Sequence, residues 1–181
     1  MPSWVYNVLT VYGENSLEGN RRVVEFLRNH IVDEYFDFNT VIPEPVTIDE
    51  CPDEYNFLIV NTDKMDTYDT IGKSWFNWYD WRIDNWGTKW NSSGRQFFDF
   101  EEILDDGVTG IDNKVHIVFE SAWSCPIPIV KRLIEDYPDL KIYCDYFSVE
   151  SMVLGFIERG NGGRVIHESF EMNRKVDDEI L

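Results

Sequence analysis

Trp75-Phe76-Asn77-Trp78-Tyr79-Asp80-Trp81-Arg82-Ile83-Asp84-Asn85-Trp86-Gly87-Thr88-Lys89-Trp90 gathers five of the chain's 7 tryptophans into one run. Each indole must bury its large area in a core or offer it to a partner. At about 100° per residue, Trp75, Phe76, Tyr79, Ile83 and Trp86 fall on one arc and Asn77, Asp80 and Asp84 lie opposite, which predicts an amphipathic helix. Gly87 is placed to stop it, after which Thr88 to Asn91 suit a turn into a strand. Most of the rings then form the inner face of a helix. Trp81 lies off that arc, where it is either an exposed interface anchor or a ring covered by residues 46–74. Arg82 falls between Trp75 and Trp78, where a guanidinium stacks on indole or meets a carboxylate.

Upstream, Trp4 to Tyr12 alternates like a strand and closes at Gly13. Asn15 and Glu18 have the spacing of a capping box, and Leu17, Asn20, Val24, Leu27 and Ile31 share one helical face behind it. Phe36 to Ile42 reads as extended, ended by Pro43 and Pro45. Within the acidic stretch that follows, Phe57 to Val60 reads as an edge strand. Downstream, Val115 to Trp123 is a strand, and Pro126 and Pro128 open a helix whose apolar face is Ile127, Val130, Leu133, Ile134 and Tyr137. Leu140 to Phe147 is a further strand. Val153 to Arg159 and Arg164 to Phe170 flank Gly160-Asn161-Gly162-Gly163, a hairpin composition.

In order these are strand, helix, interrupted middle, strand, helix, strand and hairpin. That order predicts an α+β split βαβ sandwich, an antiparallel sheet with helices on one face. We read one domain over residues 1–172, acidic insertions at 44–74 and 92–112, and a polar tail at 173–181.

The formal net charge is -18, from 34 acidic and 16 basic residues. Such a chain repels a phosphate backbone, so direct nucleic-acid binding is not expected. The acid is either a solvated surface or a face that docks on a basic protein. No apolar run is long enough to span a bilayer and no leader-like start is present, so a cytoplasmic protein of a bacterial host cell is expected. Cys51, Cys125 and Cys144 form no C-x-x-C pair, which leaves reduced thiols as the expectation.

Four blocks together carry a likeness: Asn7-x-Leu9-Thr10-Val11-x-Gly13, Phe38-Asn39-x-Val41-Ile42-Pro43, Trp78-Tyr79-Asp80-Trp81-Arg82-Ile83-x-Asn85-Trp86-Gly87-Thr88-Lys89-Trp90, and Ala122-Trp123-Ser124-x-Pro126-Ile127-Pro128. The pattern resembles the YubB-type ferredoxin-like domain family of phage and plasmid proteins. The resemblance implies a ferredoxin-like sandwich and a mobile-element origin, and it carries over no catalytic residue.

Two kinds of binding residue stand out. Trp78, Trp81, Arg82 and Trp90 combine flat rings with a cation, and Asp99, Glu101, Glu102, Asp105 and Asp106 concentrate negative charge. The first set suits a nucleotide or other anion, the second a basic partner. Asp80 and Asp84, one helical turn apart, suit metal or acid/base work as readily as they suit a solvated face. Gly72-Lys73-Ser74 lacks the upstream glycine of a phosphate loop, and His30, His116 and His167 lie in no hydrolase motif. The resulting expectation is a non-enzymatic interaction protein without metal or cofactor. It engages a basic host protein, for example a nucleic-acid-handling defence protein such as a CRISPR effector. Its alternatives are a small-ligand binder and a metal-dependent enzyme using surface carboxylates.

Overall fold

In the computed structural model, residues 3–46, 50–58, 74–94 and 113–172 are described, the side chains of 56–58 and 74–76 excepted. β1 (Trp4–Tyr12) leads into α1 (Leu17–His30), then a small hairpin of β2 (Ile31–Val32) and β3 (Tyr35–Phe36). A ribbon of β4 (Asn56–Leu58) and β5 (Ser74–Phe76) precedes α2 (Trp78–Trp86). β6 (Lys114–Ala122), α3 (Ile127–Asp136), β7 (Lys141–Ser148), β8 (Val153–Arg159) and β9 (Val165–Glu171) follow.

The main sheet has the order β6-β1-β7-β8-β9, with every neighbouring pair antiparallel. β6 and β7 therefore run parallel to each other, joined through α3, with β1 inserted between them. This is the split βαβ unit, and the α+β sandwich expected from the element order, ferredoxin-like as the resemblance implies, is the one observed.

Strand alternation decides the two faces. Val5, Leu9 and Val11 on β1, Ile117 and Phe119 on β6, Ile142 and Cys144 on β7, and Ile157 on β8 join Val23, Phe26 and Leu27 of α1 and Ile129, Val130, Leu133 and Ile134 of α3 in one buried cluster. At the β6 side the cluster becomes aromatic. Phe36, Phe38, Phe119 and Trp86 meet edge to face, with Phe36 to Phe119 at 5.2 Å and Phe38 to Trp86 at 5.9 Å between ring centroids. Buried area of this kind is worth about 25 cal/mol per Å².

Polar residues from the blocks quoted above, with Ser121 beside them, lock the sheet to α2. Buried Asn7 donates to Ser121 Oγ at 2.9 Å, and Ser121 Oγ donates to the Ser124 carbonyl at 2.7 Å. Ser124 Oγ donates in turn to the Gly87 carbonyl. Thr88 Oγ1 donates to the Ala122 carbonyl at 2.8 Å. Gly87 has φ 76°, and its amide caps α2 by donating to the Arg82 and Ile83 carbonyls. A Cβ there would lie 2.7 Å from Pro128 Cδ. Only glycine combines that dihedral with that approach.

Several local expectations are corrected. Ser16, not Asn15, caps α1, its side chain accepting from the Gly19 amide, so the buried face becomes Gly19, Val23, Val24, Phe26, Leu27 and His30, while Leu17 is exposed. Phe36 to Ile42 is not an extended run: Asp37 caps a short 3-10 turn over Phe38–Thr40. Among the described residues the strand near Phe57 pairs with Ser74–Phe76 in its own ribbon and not with the main sheet; Ile59 and Val60 lie outside the described residues. Thr88 to Asn91 forms no strand, and just beyond it Ser93 makes an isolated bridge to Glu120 of β6.

Candidate functional site

α2 is shorter than its hydrophobic pattern suggests. Asn77 accepts from the Asp80 amide at 3.3 Å and starts the helix at Trp78, leaving Trp75 and Phe76 in β5. The buried arc is consequently Trp81 and Trp86. Trp81, offered above as a possible exposed anchor, is only 4% exposed and packs edge to face on Trp86 at 5.7 Å. Trp86 is fully buried and donates Nε1 to the Ile42 carbonyl at 2.8 Å. Tyr79, placed on the inner arc by the helical wheel, faces outward.

Arg82 both stacks and pairs. Its guanidinium carbon lies 5.0 Å from the ring centres of Trp78 and Trp86, and Nε and Nη2 donate to the two carboxylate oxygens of Glu44 at 2.8 and 2.6 Å. This fork clamps the loop after Pro43 to α2. The cation is thereby committed inside the chain.

Three exposed rings form a shelf beside it. Trp78 and Tyr79 are each 38% exposed and Trp123 is 45% exposed. Trp78 to Tyr79 is 6.0 Å and Tyr79 to Trp123 is 6.4 Å, both edge to face. Lys89 Nζ lies 5.0 Å from the centres of Trp90 and Trp123 and 5.7 Å from that of Tyr79, so the rings hold an ammonium. Trp90 is backed by Trp4 at 5.9 Å. Trp123 adopts φ 69°, with its amide donating to the Ser3 carbonyl at 2.8 Å. A bulky residue in that region is strained, and such strain persists only where surrounding contacts enforce it.

On another side of α2, Glu54, Tyr55, Asp80, Ile83 and Asp84 line a depression of ≈ 360 Å³. Tyr55 OH donates to Asp84 at 2.9 Å, and burial, then that contact, push the phenol up to about 12. Asp80 and Asp84 are both exposed and engaged in capping and hydrogen bonding. Among the described residues no three of His, Cys, Asp and Glu converge as metal ligands would.

Of the residues expected to bind, the fold brings Trp78 and Arg82 together, turns Trp81 inward and sets Trp90 against Lys89. Asp99, Glu101, Glu102, Asp105 and Asp106 lie outside the described residues. Tyr79, Lys89 and Trp123 were not singled out from sequence. Trp123 sits between a strand and a proline-opened helix, and that position was the available hint.

Residues 85–179 match the family described as the ferredoxin-like domain in Api92-like protein. The chain belongs to this family. The match covers just over half of it and includes β6 to β9 and α3, together with Trp86 and Gly87. β1, the strand inserted between β6 and β7, and α1 lie outside the matched residues. No curated protein and no solved structure matches the chain. Among the described residues no helix is long and apolar enough to cross a membrane.

Proposed function

We propose that this Api92-like chain is a non-enzymatic, phage- or plasmid-derived interaction protein that docks on a basic host protein, the aromatic shelf of Trp78, Tyr79 and Trp123 anchoring the contact. The observation that carries the reading is this shelf, three contiguous exposed rings on a chain of formal net charge -18. Exposed indole and phenol rings supply the apolar anchor that a small set of interface residues needs. The carboxylates of Glu54, Asp80 and Asp84 at the next face of α2 supply the matching field for lysine and arginine. A nucleic-acid-handling defence protein has the basic surface that such an arrangement complements. The YubB-type resemblance agrees with the mobile-element origin. An anion site built on Arg82 is disfavoured because Glu44 occupies its fork.

The reading is tested by affinity capture from a bacterial lysate with the wild type and with a Trp78→Ala/Trp123→Ala variant. The expected result is a basic protein retained by the wild type, released by raised salt and absent with the variant. Retention that ignores both salt and the substitutions contradicts the proposal.

A further inference from the structure

The sheet face opposite the helices carries a second chemistry. Across its β6-β1-β7 edge, Lys114, Tyr12 and Lys141 stand in one register row. Lys114 Nζ is 5.0 Å and Lys141 Nζ 6.0 Å from the centre of the Tyr12 ring. Two residues along each strand, His116, Thr10, Tyr143 and Glu158 form the next row on the same face. Thr10 Oγ1 and His116 Nδ1 are 3.0 Å apart, and the Tyr12 and Tyr143 rings meet at 6.0 Å.

Across β1, β7 and β8 on this face, reaching the next row of Asp145 and Phe156, lies a depression of ≈ 420 Å³ lined by Tyr12, Lys141, Tyr143, Asp145, Phe156 and Glu158. Small-ligand sites run to roughly 300–1,000 Å³. Its lining mixes one ammonium, Lys141, with the carboxylates of Asp145 and Glu158 and the rings of Tyr12, Tyr143 and Phe156. Lys114 stands on β6 at the other side of Tyr12. Among the described residues neither lysine is in an ion pair. Two ionisable neighbours, Tyr12 and His116, register the charge of Lys114. The Tyr12 phenol is held below its ordinary value, first by its hydrogen bond with Lys114. The His116 imidazole is also lowered, by burial and then by Lys114.

We infer that this open face binds a nucleoside monophosphate, with the phosphate at Lys114 and Lys141, the base against Tyr143 and Phe156, and hydroxyl or amino groups donating to Asp145 and Glu158. The charge pattern selects the class. A phosphate needs the lysine pair, a planar base suits the rings, and the two carboxylates accept only from donors. A longer single strand would carry further phosphates over Glu158 and Glu168 and against the net charge, so the ligand is a mononucleotide and not a polymer.

The test is calorimetric titration of the full chain with AMP, GMP, CMP and UMP, with adenosine, inorganic phosphate and a short oligodeoxyadenylate as comparison probes. Tyrosine ring signals are followed by NMR in the same samples. At least one monophosphate should bind and shift the Tyr12 and Tyr143 signals. Adenosine and phosphate alone should each bind at least about tenfold more weakly than that monophosphate, and Lys114→Gln and Lys141→Gln should each cost about tenfold. Lys131→Gln, on α3 at the other face, should change nothing. Both test lysines lie at the surface or half-buried, and unchanged circular dichroism melting would establish that the variants are folded. No heat and no ring shift at millimolar nucleotide would overturn the inference. So would equal affinity in the lysine variants, an equal loss in Lys131→Gln, or an oligomer that binds more tightly than every monomer.

Discussion

Glu44 grips Arg82 through two charge-assisted hydrogen bonds, at 2.8 and 2.6 Å, while the guanidinium is sandwiched between Trp78 and Trp86. The pair is half-buried, with 25% of Arg82 and 17% of Glu44 side-chain surface exposed. Removing one partner strands the other charge against indole. Glu44→Ala should therefore destabilise the chain by about 1–3 kcal/mol in urea unfolding. Arg82→Lys should recover little of the pair's coupling, because an ammonium cannot reproduce the fork. A double-mutant cycle showing no coupling between positions 44 and 82 contradicts this assignment.

The register of α2 predicts an ordering among the tryptophans. Trp81→Ala and Trp86→Ala empty buried volume and should cost about 3–5 kcal/mol each. Trp78→Ala removes a half-exposed ring and one cation–π contact and should cost about 1 kcal/mol or less. Equal losses at positions 78 and 81 would mean that the helix faces the core differently.

Gly155 sits where the Tyr146 ring crosses β8 to reach β9. A Cβ at Gly155 would stand 2.4 Å from Tyr146 Cζ, and the Tyr146 hydroxyl lies 2.8 Å from His167 Nε2. Gly155→Ala must displace the ring and break that contact, at a cost of about 1–3 kcal/mol. The paired change in the His167 ring signals by NMR distinguishes this from a general loss of stability.

His30 is buried between Thr40 Oγ1 at 2.8 Å and Tyr137 OH at 2.9 Å. Burial lowers its imidazole from 6.5 to about 4. The unfolded chain therefore binds this proton more readily than the folded one. His30's contribution is fully present above the unfolded value and is lost as pH falls from about 6.5 towards about 4, by up to roughly 3 kcal/mol before solvent screening is discounted. NMR titration should place the His30 midpoint near the lower value. A midpoint at the ordinary imidazole value rejects the buried, neutral ring.

The sheet was readable because strands advertise themselves twice, through period-two burial and through punctuation. Val115 to Trp123 and Leu140 to Phe147 were each placed within about one residue, as expected where alternation is clean. The tryptophan helix was readable as a helix but not in register. With indoles at so many offsets, several arcs look apolar, and a single polar residue, Asn77, fixes where the first turn begins. The shelf itself was hidden for a different reason. Lys89 and Trp123 are far apart in sequence, and a positive φ at tryptophan leaves no mark in composition. The same holds for Lys114 and Lys141, which flank the Tyr12 ring because β1 is threaded between their strands.

The proposed role of the exposed rings beside α2 is docking on a basic protein. It is tested most directly by the dissociation constant of the captured partner, measured at low and at physiological salt for the wild type and for Trp123→Ala. The account predicts weaker binding at higher salt and a further loss of about tenfold or more in the variant, with its fold intact. An affinity unchanged by both salt and the loss of Trp123 would contradict it.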